Sequence, residues 1–359
     1  MPPQLPNGSF PASAAKSLGL SPKQLRRKGI VTLSRGLRLP LHSTGTVAEH
    51  LRGYTELDPE CCLSHGSAAR IHGISLSKEL EADWRIHLAR PSENWKPRRR
   101  NVVGHQLTFK PGEVMMLDGV RLTSPARTWL DLAHVMSIDD IIAAGDSIVV
   151  EHGENHPRPR QALATVDELK AMVAAHPGMR GVRKARLALD LVRVGADSPQ
   201  ETQMRLILLH AGLPEPTLNH VIFNEWGAPA VWPDAAYLKE RVALQYDGRH
   251  HGEAEQYQKD IRRQALTERL GWREVRVHHD DLLGPRPEVV AKVRRALWTG
   301  RELAGDARKI GAKSIGRSNA GVYAACSSWF SRLAGVCRLR VGRGRRLSFA
   351  ATRRRSSGV

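Results

Sequence analysis

Apolar and polar residues alternate with period two along residues 232–237 (Trp-Pro-Asp-Ala-Ala-Tyr) and again along 242–248 (Val-Ala-Leu-Gln-Tyr-Asp-Gly), with a short polar turn between them. That period predicts the two arms of an antiparallel hairpin. A turn centred between Lys239 and Glu240 sets Asp234 opposite Gln245, and opposed residues share a face. Val242, Leu244 and Tyr246 are then expected on the apolar side, and Ala243, Gln245 and Asp247 on a polar side with Asp234. Polar oxygens are thereby gathered on one strand pair.

Helical spacing frames this hairpin. Ser198-Pro199-Gln200-Glu201 reads as a helix start, followed by an apolar face of Met204, Ile207, Leu208 and Ala211 and a stop at Gly212. Glu201 lies three residues before Met204 and shares that face, while Ser198-x-x-Glu201 also has the spacing of a capping box; the sequence supports both roles. A second helix is expected from about 255 to 270, with Tyr257, Ile261, Ala265 and Leu266 inward and Lys259, Arg262 and Arg263 as its basic decoration. Residues 273–277 alternate as a further strand, and 287–297 close the segment as an amphipathic helix with Val289, Val290, Val293 and Leu297 on one side.

Towards the front of the chain, residues 10–40 carry a helix-turn-helix pattern: 14–18 helical, Gly19 in the turn, Ser21 as N-cap, Pro22 at the first helical position, then 23–28. Residues 30–33 and 37–39 flank Ser34-Arg35-Gly36 as a small hairpin, so the unit is expected to be a winged helix presenting Lys23, Gln24, Arg26 and Arg27 to a DNA groove. Residues 46–150 read as mixed α/β, with a short helix opening at Ser64-His65-Gly66, a strand at 84–88, and a capped helix start at Ser124-Pro125. Residues 151–162, with His152, Gly153, Pro157 and Pro159, look like a linker, and 165–192 returns to helical spacing interrupted at Pro177-Gly178 and Gly181. The order predicts an α/β (α+β) multidomain chain: a winged helix over 1–45, an α/β domain over 46–150, linker and helices over 151–195, a third domain over 196–300 and a tail over 301–359.

Charge adds a partner to this picture. The chain of 359 residues carries a net +19, which favours a polyanion through counterion release. The charge is uneven: residues 301–359 hold 14 Lys/Arg against Glu302 and Asp306, which places +12 there and leaves +7 on the first 300. That Arg-, Gly- and Ser-rich tail is expected to be disordered, with a helix over 322–339 as the other reading. Cys61, Cys62, Cys326 and Cys337 have no metal-ligand spacing, and neither a charged leader before an apolar run nor an 18-residue apolar stretch occurs; a cytoplasmic protein with no membrane partner is expected.

Two resemblances follow. Residues 10–150, with the Ser-Pro-x-Arg-Thr helix start at Ser124–Thr128, resemble antitoxin-like proteins of the AbiEi type. Residues 198–297 resemble the PD-(D/E)xK nuclease superfamily, and more narrowly its domain-of-unknown-function 559 branch, related to very-short-patch-repair endonucleases. The carrying residues are Glu201, Pro233-Asp234, Gln245-Tyr246-Asp247-Gly248 and His250 or His251. The chain departs from that branch in having Gln245 in place of a glutamate, and Asp247 where the superfamily has a lysine.

The resemblance implies a restriction-endonuclease-like fold and a DNA endonuclease dependent on Mg²⁺ or Mn²⁺. Asp234, Gln245 and the Tyr246 carbonyl would hold the metal, with Glu201 joining through water. His250 or His251 would orient that water or protonate the leaving oxygen, Asp247 would be a ligand or a turn former, and Lys259 would stand in for the missing lysine. Arg262 and Arg263, with the basic residues of the winged helix, would bind DNA. The other reading is a non-catalytic DNA-binding regulator, antitoxin-like in its front half, whose nuclease fold has lost activity through Gln245. A homodimer, which would let one site cut two strands, and a toxin–antitoxin partner are both compatible with the sequence, which identifies neither.

Overall fold

Each group of elements forms where the residue pattern gives a strand or helix one face to bury. The computed structural model describes residues 5–154, 156–248 and 254–298, leaving aside the side chains of 254–257 and 259. These all fall in one compact unit, Met1–Gly305. The chain is mixed α/β.

At the front, β1 (Phe10–Pro11), β2 (Ile30–Ser34) and β3 (Leu37–Pro40) form an antiparallel sheet in the order β1-β3-β2. The β2–β3 hairpin turns at Arg35-Gly36, where Gly36 takes a left-handed φ of +81°. The helices expected over 14–18 and 23–28 are instead short 3₁₀ turns at Ala12–Ala15 and Gln24–Arg26. Only Leu25 from the second turn packs against the cluster of Phe10, Ala15 and Leu20. With Arg26, Arg27 and Lys28 all in solvent and Gly29 next, there is no apolar face to extend a helix on.

The next layer comprises α1 (Val47–Leu57), β4 (Cys62–Leu63), α2 (His65–His72), α3 (Lys78–Ala82), β5 (Ile86–Pro91), β6 (Val102–Leu107), β7 (Val114–Leu117) and β8 (Val120–Thr123). Its five strands run β6-β5-β4-β8-β7. Leu37 of β3 shares a core with Leu51, Leu63, Leu88 and Leu122, so the front hairpin is packed onto this sheet through α1. Cys61 and Cys62 are buried thiols, both pushed up to about 12 chiefly by burial.

A helical layer follows: α4 (Pro125–Leu132), α5 (Ile138–Val149), α6 (Val166–Ala175), α7 (Val182–Leu189) and α8 (Pro199–His210). The caps read from the sequence are made, Ser124 accepting from the Arg127 N–H and Ser198 from the Glu201 N–H. At the segment expected to separate domains near residue 195, α8 is fastened to α5. Fully buried Arg205 donates to Asp146 at 2.7 Å, Thr202 donates to the same carboxylate at 2.8 Å, and Leu206 enters the helical core.

The last sheet contains β9 (Thr217–Leu218), β12 (Ala235–Tyr237), β13 (Val242–Asp247) and β14 (Arg273–His278), in the order β14-β13-β12-β9, while β10 (Ile222–Phe223) and β11 (Pro229–Val231) pair separately. β12 and β13 are antiparallel with Ala235 opposite Leu244 and Tyr237 opposite Val242, the register the alternation predicts. β14 lies parallel to β13, and α9 (Ala254–Arg269) supplies the crossover such a pair needs. Val242, Leu244 and Tyr246 pack with Met204, Leu208, Val289 and Val293, the last two from α10 (residues 288–298). The opposite face is not polar throughout: Ala243 is buried against Val231, Leu266, Leu270 and Trp272. The inward face of α9 also differs from expectation. Leu266 packs against the Ala243 cluster as expected, whereas Ile261 and Ala265 are exposed and Arg263 and Thr267 are the more covered, the helix being turned to cover Ala243.

Candidate functional site

The ends of β12 and β13 nearest Gln245 open into two adjoining hollows of about 260 and 480 Å³. Arg158, Glu201, Asp234 and Gln245 line both. The hairpin register supplies Asp234 and Gln245, and the first turn of α8 supplies Glu201, so two distant segments meet as the sequence analysis expects.

Asp234 is held by its own hairpin. The Gln245 side-chain amide donates to both carboxylate oxygens at 2.9 Å, and the Tyr246 N–H donates to one of them at 2.5 Å. Gln245 is thus a hydrogen-bond donor to Asp234, a different role from that of an oxygen ligand. Burial raises the Asp234 pKa, and the Tyr246 N–H, Arg263 and Gln245 oppose the rise. Glu201 is buried, and burial first, then the charge of Asp234, raises its pKa as well. Its carboxylate accepts from the Asp197 N–H at 2.8 Å and from the Ser198 hydroxyl at 2.8 Å. The capping box itself is not closed, since Glu201 takes the N–H of Asp197, one residue before the cap, while lining the cleft.

The segment expected to be a linker contributes to the same cleft. His152 is buried, bridges to residue 160 through its backbone, and places Nε2 2.6 Å from Asp197 Oδ1 and Nδ1 3.2 Å from Asn219 Oδ1. The His156 ring stacks on His152 with centroids 3.8 Å apart. The ligating atoms of His152, His156 and Asp197 lie within 4.8 Å of one another, and all three residues line the smaller hollow with Asp234 and Glu201. Gly195 permits this convergence: it sits at φ +112°, and a Cβ there would stand 2.8 Å from that of Asn219. Only the His and Pro content of residues 152–159 signalled these groups, and in sequence it reads equally well as a linker.

Arg263, of the basic residues expected on α9, reaches the cleft, where Arg158 also stands. It lines the smaller hollow, sits 3.5 Å from Asp260 and 3.7 Å from Glu274, and leaves its Nε buried with no acceptor. Arg262, one residue before, faces solvent. Asp247 stands outside the lining of either hollow, 3.9 Å from His278 Nδ1 on the neighbouring strand. The alternation puts it on the Asp234 side but one pair further along. His250, His251 and the side chain of Lys259 lie outside the described residues, as does the tail.

The donor set fits a divalent cation. Asp197, His152 and His156 gather their ligating atoms, Asp234 and buried Glu201 line the same hollow, and the pKa of Glu201, raised by burial and then by the charge of Asp234, marks a place where positive charge is favourable. Imidazole among carboxylates suits Mn²⁺ better than Mg²⁺.

On the surface, exposed Lys23, Arg26 and Arg27 belong to the short turn at Gln24–Arg26, with Gln24 half-buried. A second basic patch was not singled out from sequence. Arg35 at the hairpin tip, Lys96, Arg98, Arg99 and Arg100 line one hollow with Trp95, which is 82% exposed. Arg99 donates to the Arg35 carbonyl at 2.9 Å, tying this loop to the hairpin. Among the described residues no helix is long and apolar enough to cross a membrane.

No family model matches the chain, and no solved structure matches it. Two curated relatives do, the uncharacterized proteins MT2308 and Rv2248 of Mycobacterium tuberculosis strains CDC 1551 / Oshkosh and ATCC 25618 / H37Rv. Each is 26% identical over 241 residues, which cover 66% of this chain and 81% of the relative.

Proposed function

We propose that the chain is a metal-dependent DNA endonuclease whose site is the cleft formed by Glu201, Asp234, Asp197, His152 and His156. The observation that carries this reading is the convergence of buried Glu201 with Asp234 at the end of a strand hairpin, beside Arg263 and two imidazoles. A divalent cation held by these carboxylates and imidazoles supplies charge neutralisation at a phosphate and a bound water of lowered pKa. The chain's own groups do the rest. Arg263 lines the cleft and brings positive charge to it, and contacts of His152 Nε2 with Asp197 and of Nδ1 with Asn219 fix the orientation of that ring. The exposed basic residues of the front turn and the Trp95–Arg100 loop supply affinity for the polyanion.

A second reading has its own observation. Because Gln245 already satisfies both Asp234 oxygens, the hairpin is stable with no cation, which is what a non-catalytic DNA-binding regulator with a degenerate nuclease fold requires. Incubating plasmid and single-stranded substrates with Mn²⁺ and Mg²⁺, with and without chelator, separates the two. Metal-dependent cutting supports the enzyme; salt-sensitive binding without cutting leaves the regulator.

A further inference from the structure

A second group of histidines lies in the five-stranded layer, away from the cleft. His65 opens α2, His87 is on β5 and His105 is on β6. The β5–β6 register pairs Ala89 with His105, which sets His87 and His105 two positions apart on the same face, and α2 begins two residues after the β4–β5 pairing of Leu63 with Leu88. Sheet and helix thus bring three imidazoles together from three elements. Their ligating nitrogens lie within 4.8 Å of one another, with His65 and His87 buried and His105 half-buried.

Two of the rings already have one nitrogen committed outward. His65 Nδ1 is 3.0 Å from Ser64 Oγ, and His87 Nε2 is 3.7 Å from Asp83. The other nitrogen of His87, Nδ1, is 3.0 Å from His105 Nε2. A ring nitrogen fixed by a hydroxyl or carboxylate, with its partner nitrogen turned to a shared point, is the usual arrangement around metal-ligating histidine. Burial, and then the neighbouring imidazoles, hold His65 well below its ordinary pKa. His65 also adopts a left-handed backbone with φ +47°. Leu63 and Leu88 fill the core adjacent to these rings.

We infer that His65, His87 and His105 form a site for one borderline divalent cation of the Zn²⁺ class, separate from the cleft and tying α2 to the β5–β6 pair. Neutral imidazole is a preferred ligand of such ions, and three of them leave a fourth position for water or an exogenous ligand. In the structure the His65 and His105 rings stack with centroids 3.9 Å apart and 16° between planes, and a metal must lie near the plane of each ring that binds it. Coordination therefore requires the half-buried His105 ring to rotate about χ2, replacing the proton shared with His87 by the cation.

The test titrates Co²⁺ and Zn²⁺ into the metal-stripped full chain and into His105→Gln, His156→Ala and Asp234→Ala variants, reading Co²⁺ visible absorbance, bound stoichiometry and thermal midpoint. The expected result is one equivalent with a tetrahedral Co²⁺ spectrum and a raised midpoint that persists in His156→Ala and Asp234→Ala and is lost when His105→Gln is combined with His156→Ala. A tetrahedral spectrum retained in that double variant, or no equivalent in the parent chain beyond that removed by His156→Ala, overturns the inference. Circular dichroism of the double variant without metal, matching the parent, shows that loss of binding is not loss of fold. The outcome is independent of whether the cleft cuts DNA.

Discussion

At residue scale the decisive contact is Gln245 to Asp234. Replacing Gln245 by Glu removes two amide hydrogen bonds and sets a second carboxylate against the first, so the metal-free protein should lose about 1–3 kcal/mol of stability in urea unfolding. The same change adds a hard oxygen donor, so Mn²⁺ should stabilise Gln245→Glu more than the parent; equal metal response in both proteins would place the cation elsewhere. The carboxyl pair also carries a pH signature. The Glu201 pKa is raised above its ordinary 4.5, so the folded state holds its proton more tightly than the unfolded chain. The cost is absent below about 4.5 and grows as pH rises through the raised folded value. Glu201→Gln should accordingly raise the thermal midpoint at pH 8 more than at pH 4, and an equal shift at both would contradict the burial of that charge. The Asp234–Gln245 register was legible because a two-residue period and a polar turn fix it. The roles were not: sequence gives the pairing, and only the atoms show Gln245 donating.

At the scale of elements, α8 is the joint between the helical layer and the last sheet. Arg205 is fully buried on Asp146, whose other oxygen accepts from the Arg193 N–H at 2.7 Å, and it also reaches Glu215 at 3.0 Å. Arg205→Ala leaves a buried carboxylate without its partner and is expected to cost ~3–5 kcal/mol in chemical unfolding; a loss below ~1 kcal/mol would mean the contact is dispensable. This joint was invisible in sequence, because Asp146 and Arg205 are 59 residues apart and each sits in an ordinary helical pattern. The same holds for His152 and Asp197, 45 residues apart, which fall in the expected linker and just before a helix start. The helix face of α9 was misread for another reason. Leu266 packs inward as expected, but the helix is turned so that Ile261, expected beside it, is 46% exposed.

Across the whole molecule, the basic surface and the cleft should separate experimentally into affinity and chemistry. Replacing Arg98 and Arg100 with Ala should weaken DNA binding across sequences and lower the slope of log affinity against log salt by about 2 if both contact phosphate; an unchanged slope would remove this loop from the interface. The overall charge signalled a polyanion, yet the patch itself depends on Arg35 and Arg99 meeting across 64 residues, which composition does not reveal. The central claim rests on Asp234. Supercoiled plasmid incubated with Mn²⁺ should be nicked or linearised by the parent chain and left intact by Asp234→Ala of equal fold and equal DNA affinity; equal background in both proteins would contradict the endonuclease account and leave a DNA-binding protein in its place.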